Sequence, residues 1–430
     1  MSVAAKRCIK HMSFQLGIDI GGTFTDVVLL DEKNEKLTFG KTLTTYGDPT
    51  DGIVSGIQQV LSDNHVSGKD IRRVLHGTTL VTNAIIERKG AKTGLITTKG
   101  FEDVLEIGRE LRYDIYDLNI TMPKPLVPRN LRVGVSERVD KQGNIIHSLN
   151  QSDVENSVQK LVDQGVEAIA ICYMFGFMNP IHEQETAQYI QSNFPDVYVS
   201  VSSEIMPEIR EYERTSATAM NAFVQPLTHT YLSRLKTRLN EMDITGVINI
   251  MLSSGRLTTL EGAKQSPIHL LESGAAGGTM AGVFVGKQTH REDLFAFDMG
   301  GTTAKASLIH NHEPDITNQF EAGRVKRFRK GSGLPVRIPV IDMIEIGAGG
   351  GSIAHVNQLG LLTVGPESAG SEPGPACYDR GGEFPTVTDA DLVLGYLNQD
   401  YFLGGTMTLN TQKAENAIRK HLAEPLGLSV

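Results

Sequence analysis

Cysteine is scarce. Cys8, Cys172 and Cys377 are the three in 430 residues, far apart and with no Cys-x-x-Cys pair. An odd, dispersed set argues against a disulfide framework or a zinc ribbon, and it fits a reducing cytoplasm. Positive charge is also in deficit. Lys and Arg number 41 against 50 Asp and Glu, a formal charge of −9. That is the wrong sign for a chain whose main partner is a nucleic-acid backbone or an anionic membrane. Long apolar runs are missing too, and none approaches the roughly 18 residues that would suggest a membrane span. Residues 1–13 are basic but lack the apolar core of a secretory signal, and they read as a loose N-terminal extension. The remaining composition, 40% apolar and 21% charged, is that of a globular chain with room for two large lobes.

Glycine is the one residue in excess, 44 in all, and the glycines cluster. Residues 16–30 contain Asp19-Ile-Gly-Gly-Thr-Phe-Thr-Asp26 between two apolar runs. Residues 295–309 repeat the pattern as Asp298-Met-Gly-Gly-Thr-Thr303 between two more. Polar turns follow at Asp31–Lys36 and His310–Asp315, so each copy predicts a β-hairpin with a tight Gly-Gly connection. Without Cβ atoms, Gly21, Gly22, Gly300 and Gly301 let backbone N–H groups approach an anion closely. The threonines Thr23 and Thr302 add hydroxyl donors. The aspartates Asp19 and Asp298, at strand ends, can hold a metal ion or position a water. Two copies in the same register resemble the actin/hexokinase/Hsp70-type ATPase fold, in which two lobes each offer a phosphate-gripping hairpin to a nucleotide.

Between the copies, helix and strand signals alternate, which predicts an α/β fold. Ser152-Asp-Val-Glu155 has the form of a capping box opening a helix. Glu167–Phe177 reads as a buried strand, 182–194 as a helix and Val197–Val201 as a strand. A long helix is expected over Ser216–Glu241, kinked or split at Pro226. Segment 112–150, with Pro123, Pro125 and Pro128, reads as a surface excursion or an interdomain link. The lobe boundary is placed near residue 200, giving lobes 14–200 and 201–430.

Further polar clusters are less decisive. Gly349, Gly350 and Gly351 suit a backbone lying directly against a ligand or against another backbone. His76-Gly-Thr-Thr79, at the end of a strand and the start of a helix, is where α/β folds place ligand contacts; a structural histidine fits equally well. His310 and His312 fall in the second hairpin's turn, which argues against a metal pair. The basic run Arg324–Lys330 reads as a solvated strand edge. Cys377 reads as a small buried filler.

Taken together, these segments resemble the hydantoinase A/oxoprolinase family, the ATP-using component of N-methylhydantoinases, 5-oxoprolinases and related ketone carboxylases. The resemblance rests on Gly17–Asp26, His76–Gly90, Glu211–Ser216 and Ser273–Gly278. It continues through Asp298–Thr303, Ile346–Ala354 and Val364–Asp391. It implies ATP-dependent opening of a small cyclic amide or imide such as a hydantoin or 5-oxoproline. Gly21, Gly22, Thr23, Gly300, Gly301 and Thr302 would contact ATP phosphates, with Thr25 and Thr303 as secondary contacts. Asp19 and Asp298 would act as catalytic carboxylates, orienting Mg²⁺ or its waters. Gly349, Gly350, Gly351, His76, Thr78 and Thr79 would line the cleft. A separate hydantoinase B-like subunit often completes the reaction in this family. Family members also extend past the equivalent of Val430 with a glycine-rich adenosine motif, so the chain reads as truncated. Rival readings are a ketone carboxylase subunit, a sugar or acid kinase, and a non-catalytic nucleotide-binding scaffold.

Overall fold

The computed structural model describes residues 14–21, 24–45, 48–301, 303–326, 329–405 and 407–430. The N-terminal extension, Cys8, Gly22, Thr23 and Thr302 therefore lie outside the described residues.

The fold is α/β and is organised by three main sheets. In the first, β1 (Phe14–Ile20), β2 (Phe24–Asp31) and β3 (Lys36–Leu43) form an antiparallel meander. Leu16, Ile18 and Ile20 alternate inward along β1, as a half-buried strand requires. Helix α1 (Pro49–Asp63) packs on the meander, capped by Asp48 through Thr50 N. The chain then returns through β4 (Ile71–Thr78), parallel to β1, and enters α2 (Leu80–Ile86).

A second, wholly parallel sheet follows, in the order β8-β7-β5-β6. It comprises β5 (Thr93–Thr98), β6 (Arg132–Val135), β7 (Ala168–Cys172) and β8 (Tyr198–Val201). Every residue of β5 and β7 is buried, which is the signature of a parallel sheet covered on both faces. Helices α3 (Gln151–Asp163) and α4 (Ile181–Asn193) help cover it. Three expectations shift here. The cap of α3 is Asn150, whose side chain accepts from Asp153 N, and Ser152 lies inside the helix. The buried strand stops at Cys172 and is followed by turns. Segment 112–150 is irregular at first but then supplies β6, because Arg132–Val135 pairs with Leu95–Thr98.

Helix α5 (Glu211–Glu241) spans 31 residues and runs on through Pro226, without the expected split. A proline inside a helix costs about 3 kcal/mol. Glu213 through Gln225 are buried without interruption, and Met220 and Ala222 enter two different cores. Packing of that extent offsets the lost hydrogen bond. After α5, β9 (Val247–Met251) joins β4 in parallel and β10 (Leu257–Thr259) closes the first sheet, whose order is β10-β9-β4-β1-β2-β3. The boundary near residue 200 thus divides the chain but not the sheets.

Helix α6 (Ser273–Thr289) leads into the third sheet. There β11 (Leu294–Met299) and β12 (Ala304–His310) form the second hairpin. The short strand β13 (Glu313–Pro314) and β14 (Met343–Ile346) both pair with β12. Of the basic segment, Arg327 and Phe328 lie outside the described residues; Arg324–Lys326, Arg329 and Lys330 are in no strand and stand between the paired short strands Phe320–Ala322 and Leu334–Val336. The segment is tied down by Arg324–Glu321 and Lys326–Asp117 ion pairs.

Candidate functional site

Both copies of the repeated motif fold as antiparallel hairpins, and the register matches residue for residue. Asp19 stands opposite Asp26 in the first, Asp298 opposite Lys305 in the second. Opposed residues share a face, so each sheet carries a charged row across three strands. The first reads Asp19, Asp26, Lys41; the second reads Asp298, Lys305, Glu345. Lys41 bonds Asp26 at 2.6 Å.

The two rows approach each other across the start of the helix Ser273–Thr289: Gly278 lines the cavity beside Asp19, and a Cβ added there would stand 3.9 Å from Asp298 Oδ2. Asp19 is exposed at the mouth of a cavity, but the protein packed around its carboxyl partly desolvates it and pushes it above its usual range. The carboxylates of Asp26 and Asp298 add to that shift, and Lys41 opposes it. Asp298 therefore lies within electrostatic reach of Asp19, although the chain places them in separate sheets. Asp19 opens onto a cavity of about 280 Å³ bounded by β1, β4 and the first turns of α6. Glycine keeps this space clear: a Cβ added at Gly77 or Gly274 would stand 3.1 Å from Asp19 Oδ1. Among the described residues, no cluster of three or more His, Cys, Asp or Glu side chains could hold a metal by itself.

The other residues singled out in the sequence act mainly on the backbone of the turns. Thr25 is fully buried, and its hydroxyl lies 3.2 Å from that of Thr44. Thr44 in turn donates to the Gly21 carbonyl at 3.0 Å, so Thr25 braces the first turn from below. Gly301 faces open space, whereas Gly300 N is bonded to the Thr303 carbonyl. Gly349, Gly350 and Gly351 are buried. Gly350 N and Gly351 N donate to the carbonyls of Gly300 and Gly301 at 2.9 and 2.7 Å. A side chain at Gly351 would meet Ser368 Oγ at 2.8 Å and the Gly301 carbonyl at 3.0 Å. Of the two readings of the glycine run, the structure displays close backbone packing, one layer behind the second turn.

His76 is buried with both ring nitrogens engaged. Nδ1 lies 3.2 Å from the Ile18 carbonyl and so carries the proton. Nε2 then accepts from the Tyr231 hydroxyl at 2.8 Å. Burial lowers the His76 pKa to about 4 and raises that of Tyr231. Thr79 gives both its N–H and its hydroxyl to the Ile20 carbonyl. Thr78 is bracketed by Ser273, whose hydroxyl donates to the Thr78 carbonyl at 2.7 Å and accepts from its N–H at 3.1 Å. His76, Thr78 and Thr79 thus fix the strand end that carries Asp19 and lock it to α6.

Several partners were not evident from sequence. Tyr231 is 155 positions from His76. Ser273, Gly274 and Gly278 sit in a segment that carried the family resemblance but was given no role at the site. Glu272 precedes α6 in a left-handed conformation, φ 57°, and its carboxylate pairs with Lys305. Misaligned charge within the repeat (Asp26 in one copy, Lys305 in the other) was the available signal for that pair.

Two stretches of the chain match known protein families. Residues 15–194 match the hydantoinase/oxoprolinase N-terminal region, and residues 214–430 match the hydantoinase/oxoprolinase family. An uncharacterized protein of Methanocaldococcus jannaschii is 42% identical over 97% of this chain and 62% of its own length. Caprolactamase subunit alpha of Pseudomonas jessenii is 37% identical over 98% of this chain and 60% of its own. The crystal structure of the ATP-dependent caprolactamase from that organism superposes with a TM-score of 0.82 at 35% identity, covering 96% of this chain and 60% of that one. Nucleotide-free acetone carboxylase gives 0.75 at 27% identity, covering 96% and 59%. The chain thus spans about three fifths of the length of these relatives.

Proposed function

The chain belongs to the hydantoinase/oxoprolinase family, and from that premise we propose that it is the ATP-using subunit of a cyclic amide hydrolase. The observation that carries this reading is the pair of Asp-x-Gly-Gly-Thr hairpins in matching register, with Asp19 opening onto a glycine-lined cavity and Asp298 contributing to the field at Asp19. Two facing phosphate turns are what an actin/hexokinase-like ATPase needs. Backbone amides of the two turns, among them Gly21 and Gly301, would donate to ATP phosphates, while Gly300 N, bonded to the Thr303 carbonyl, would hold the shape of the second turn.

Glycine-lined space beside two carboxylates fits Mg²⁺, which commonly takes one or two carboxylates and completes its shell with phosphate and water. Asp19 and Asp298 would hold it, and the bound ion would neutralise charge on the transferring phosphoryl group. Desolvation first, and then the carboxylates of Asp26 and Asp298, raise the proton affinity of Asp19, and a bound cation would oppose both.

An amide carbonyl is a weak electrophile, and phosphorylation overcomes this. The γ-phosphorus–oxygen bond of ATP breaks as the ring carbonyl oxygen bonds to phosphorus, releasing ADP. One water then adds to the activated carbon and the ring nitrogen leaves as the amine. A second water frees phosphate from the resulting acyl phosphate, leaving a carboxylate. His76, Thr78, Thr79 and Ser273 contribute by positioning the Asp19 turn, and Gly349–Gly351 by shaping the second turn from behind. A hydantoinase B-like second subunit is the proposed partner, since the caprolactamase relative is itself named as a subunit. The proposed compartment is the cytoplasm. No helix among the described residues is long and apolar enough to cross a membrane.

The likeness to acetone carboxylase favours one alternative, ATP-dependent activation of a ketone for carboxylation. Assaying the chain with its second subunit separates the two. Lactam- or hydantoin-dependent release of ADP and phosphate supports the hydrolase. Ketone-dependent incorporation of labelled bicarbonate, with no response to cyclic amides, would replace it.

A further inference from the structure

A second cavity of about 280 Å³ lies immediately beside the carboxylate pair, on the Lys305 side of the third sheet. It is distinct in lining from the Asp19 cavity and shares no residue with it. Its charged walls are Glu272, Glu321, Asp342 and Glu345 against Lys305 and Arg324, four acids to two bases, a formal −2. Lys305 stands directly opposite Asp298 in the β-ladder, so the cavity begins one strand away from the proposed phosphate site.

Two of the acids are already neutralised within the wall. Glu272 pairs with Lys305, and Glu321 pairs with Arg324 while accepting from Gly331 N at 2.8 Å. Among the described residues, neither Asp342 nor Glu345 has an ion-pair partner, and both are exposed. The wall facing a ligand is therefore an excess of carboxylate acceptors around one ammonium donor. Ile86, Phe320 and Met343 supply an apolar side. The volume falls just below the about 300–1,000 Å³ of sites for drug-sized ligands, so it suits a single small ring.

We propose that this cavity is the acceptor site for the ring, and that it takes uncharged cyclic amides or imides in preference to rings bearing a carboxylate. The inference rests on the cyclic-amide reading above and specifies the substrate class within it. Lys305 has three donors, of which Glu272 engages one side; it is the group placed to bond the ring carbonyl next to Asp298. Asp342 and Glu345 accept ring N–H groups and repel a ring carboxylate. The left-handed backbone of Glu272 fits this role: a non-glycine residue is held there by its Thr82 bond and its Lys305 pair.

The test is equilibrium binding of caprolactam, hydantoin and 5-oxoproline to the full chain, with and without Mg·ATP. The neutral rings are expected to bind at least tenfold more tightly than 5-oxoproline. Lys305→Met should weaken neutral-ring binding at least tenfold. Removing Lys305 leaves Glu272 half-buried and can unfold the chain, so Asp342→Lys on the exposed rim provides a second arm; it should narrow the preference against 5-oxoproline at least threefold. Equal or tighter binding of 5-oxoproline, no ring binding at all, or indifference to both substitutions would overturn the site. Rings that bind as expected to a chain that fails to bind Mg·tripolyphosphate would leave this site standing and refute the ATP-dependent reading instead.

Discussion

Acidification from pH 7 to pH 5 probes the histidine on which the first glycine turn rests. His76 is buried, donates to the Ile18 carbonyl one residue before Asp19, and accepts from Tyr231. Its pKa falls from 6.5 to about 4 in the folded chain, with burial as the main cause. Between those values the unfolded chain takes up a proton that the folded chain refuses, so stability is lost as pH falls through this window. The full difference, about 2.5 units at about 1.4 kcal/mol each, is about 3 kcal/mol, of which about 2 kcal/mol is lost by pH 5. Urea titrations of the wild type and of His76→Gln between pH 7 and pH 4.5 measure this directly. The variant is expected to be less stable at pH 7, but its stability should decline more gently with acid, by up to one proton. The raised Asp19 pKa acts in the opposite sense and is common to both proteins, so it cancels from the comparison. Parallel pH dependences would refute the buried, neutral His76.

Two further outcomes follow from packing around the site. Gly274→Ala adds helix propensity of about 1 kcal/mol to α6 but sets a methyl 3.1 Å from Asp19 Oδ1. Thermal stability should hold or rise while Mg-dependent phosphate binding falls at least tenfold; unimpaired binding would show that Asp19 is not at the site. Cys172 and Cys377 are buried, and burial raises both thiols. Cys377 N–H also donates to Asp389 Oδ1 at 2.7 Å. Neither should be alkylated by iodoacetamide at pH 8 until denaturant is added, as read by mass spectrometry. Rapid native labelling of Cys377 would reopen a nucleophilic role.

Local pattern revealed the parts of this fold that depend on neighbours in sequence. The two hairpins were legible because Asp-x-Gly-Gly-Thr recurs between apolar runs, and strand alternation fixes which residues face the cleft. The long helix was legible by period but not in its continuity at Pro226, since the packing that tolerates the proline comes from two separate cores. The cap of α3 slid from Ser152 to Asn150 because either side chain can serve and only the start of the helical backbone decides. Among the residues singled out in the sequence, several bond to the turns themselves. Thr25 acts through Thr44, and the run Gly349–Gly351 acts through the carbonyls of Gly300 and Gly301. Those bonds join residues with no shared periodicity, so nothing in the local sequence announces them. The Glu272–Lys305 pair was hidden for the same reason, although the charge reversal between Asp26 and Lys305 in the repeat marked the place.

The paired grip itself is tested most directly by a double-mutant cycle on Mg·tripolyphosphate binding, a probe that needs the two turns and no adenosine pocket. Calorimetric titrations would compare the wild type, Asp19→Asn, Asp298→Asn and the double variant. If both carboxylates serve one ion, each single change should weaken Mg-dependent binding at least tenfold, and the double change should cost little more than either alone. Additive losses, or triphosphate binding that ignores both substitutions, would contradict a shared phosphate site between the two hairpins.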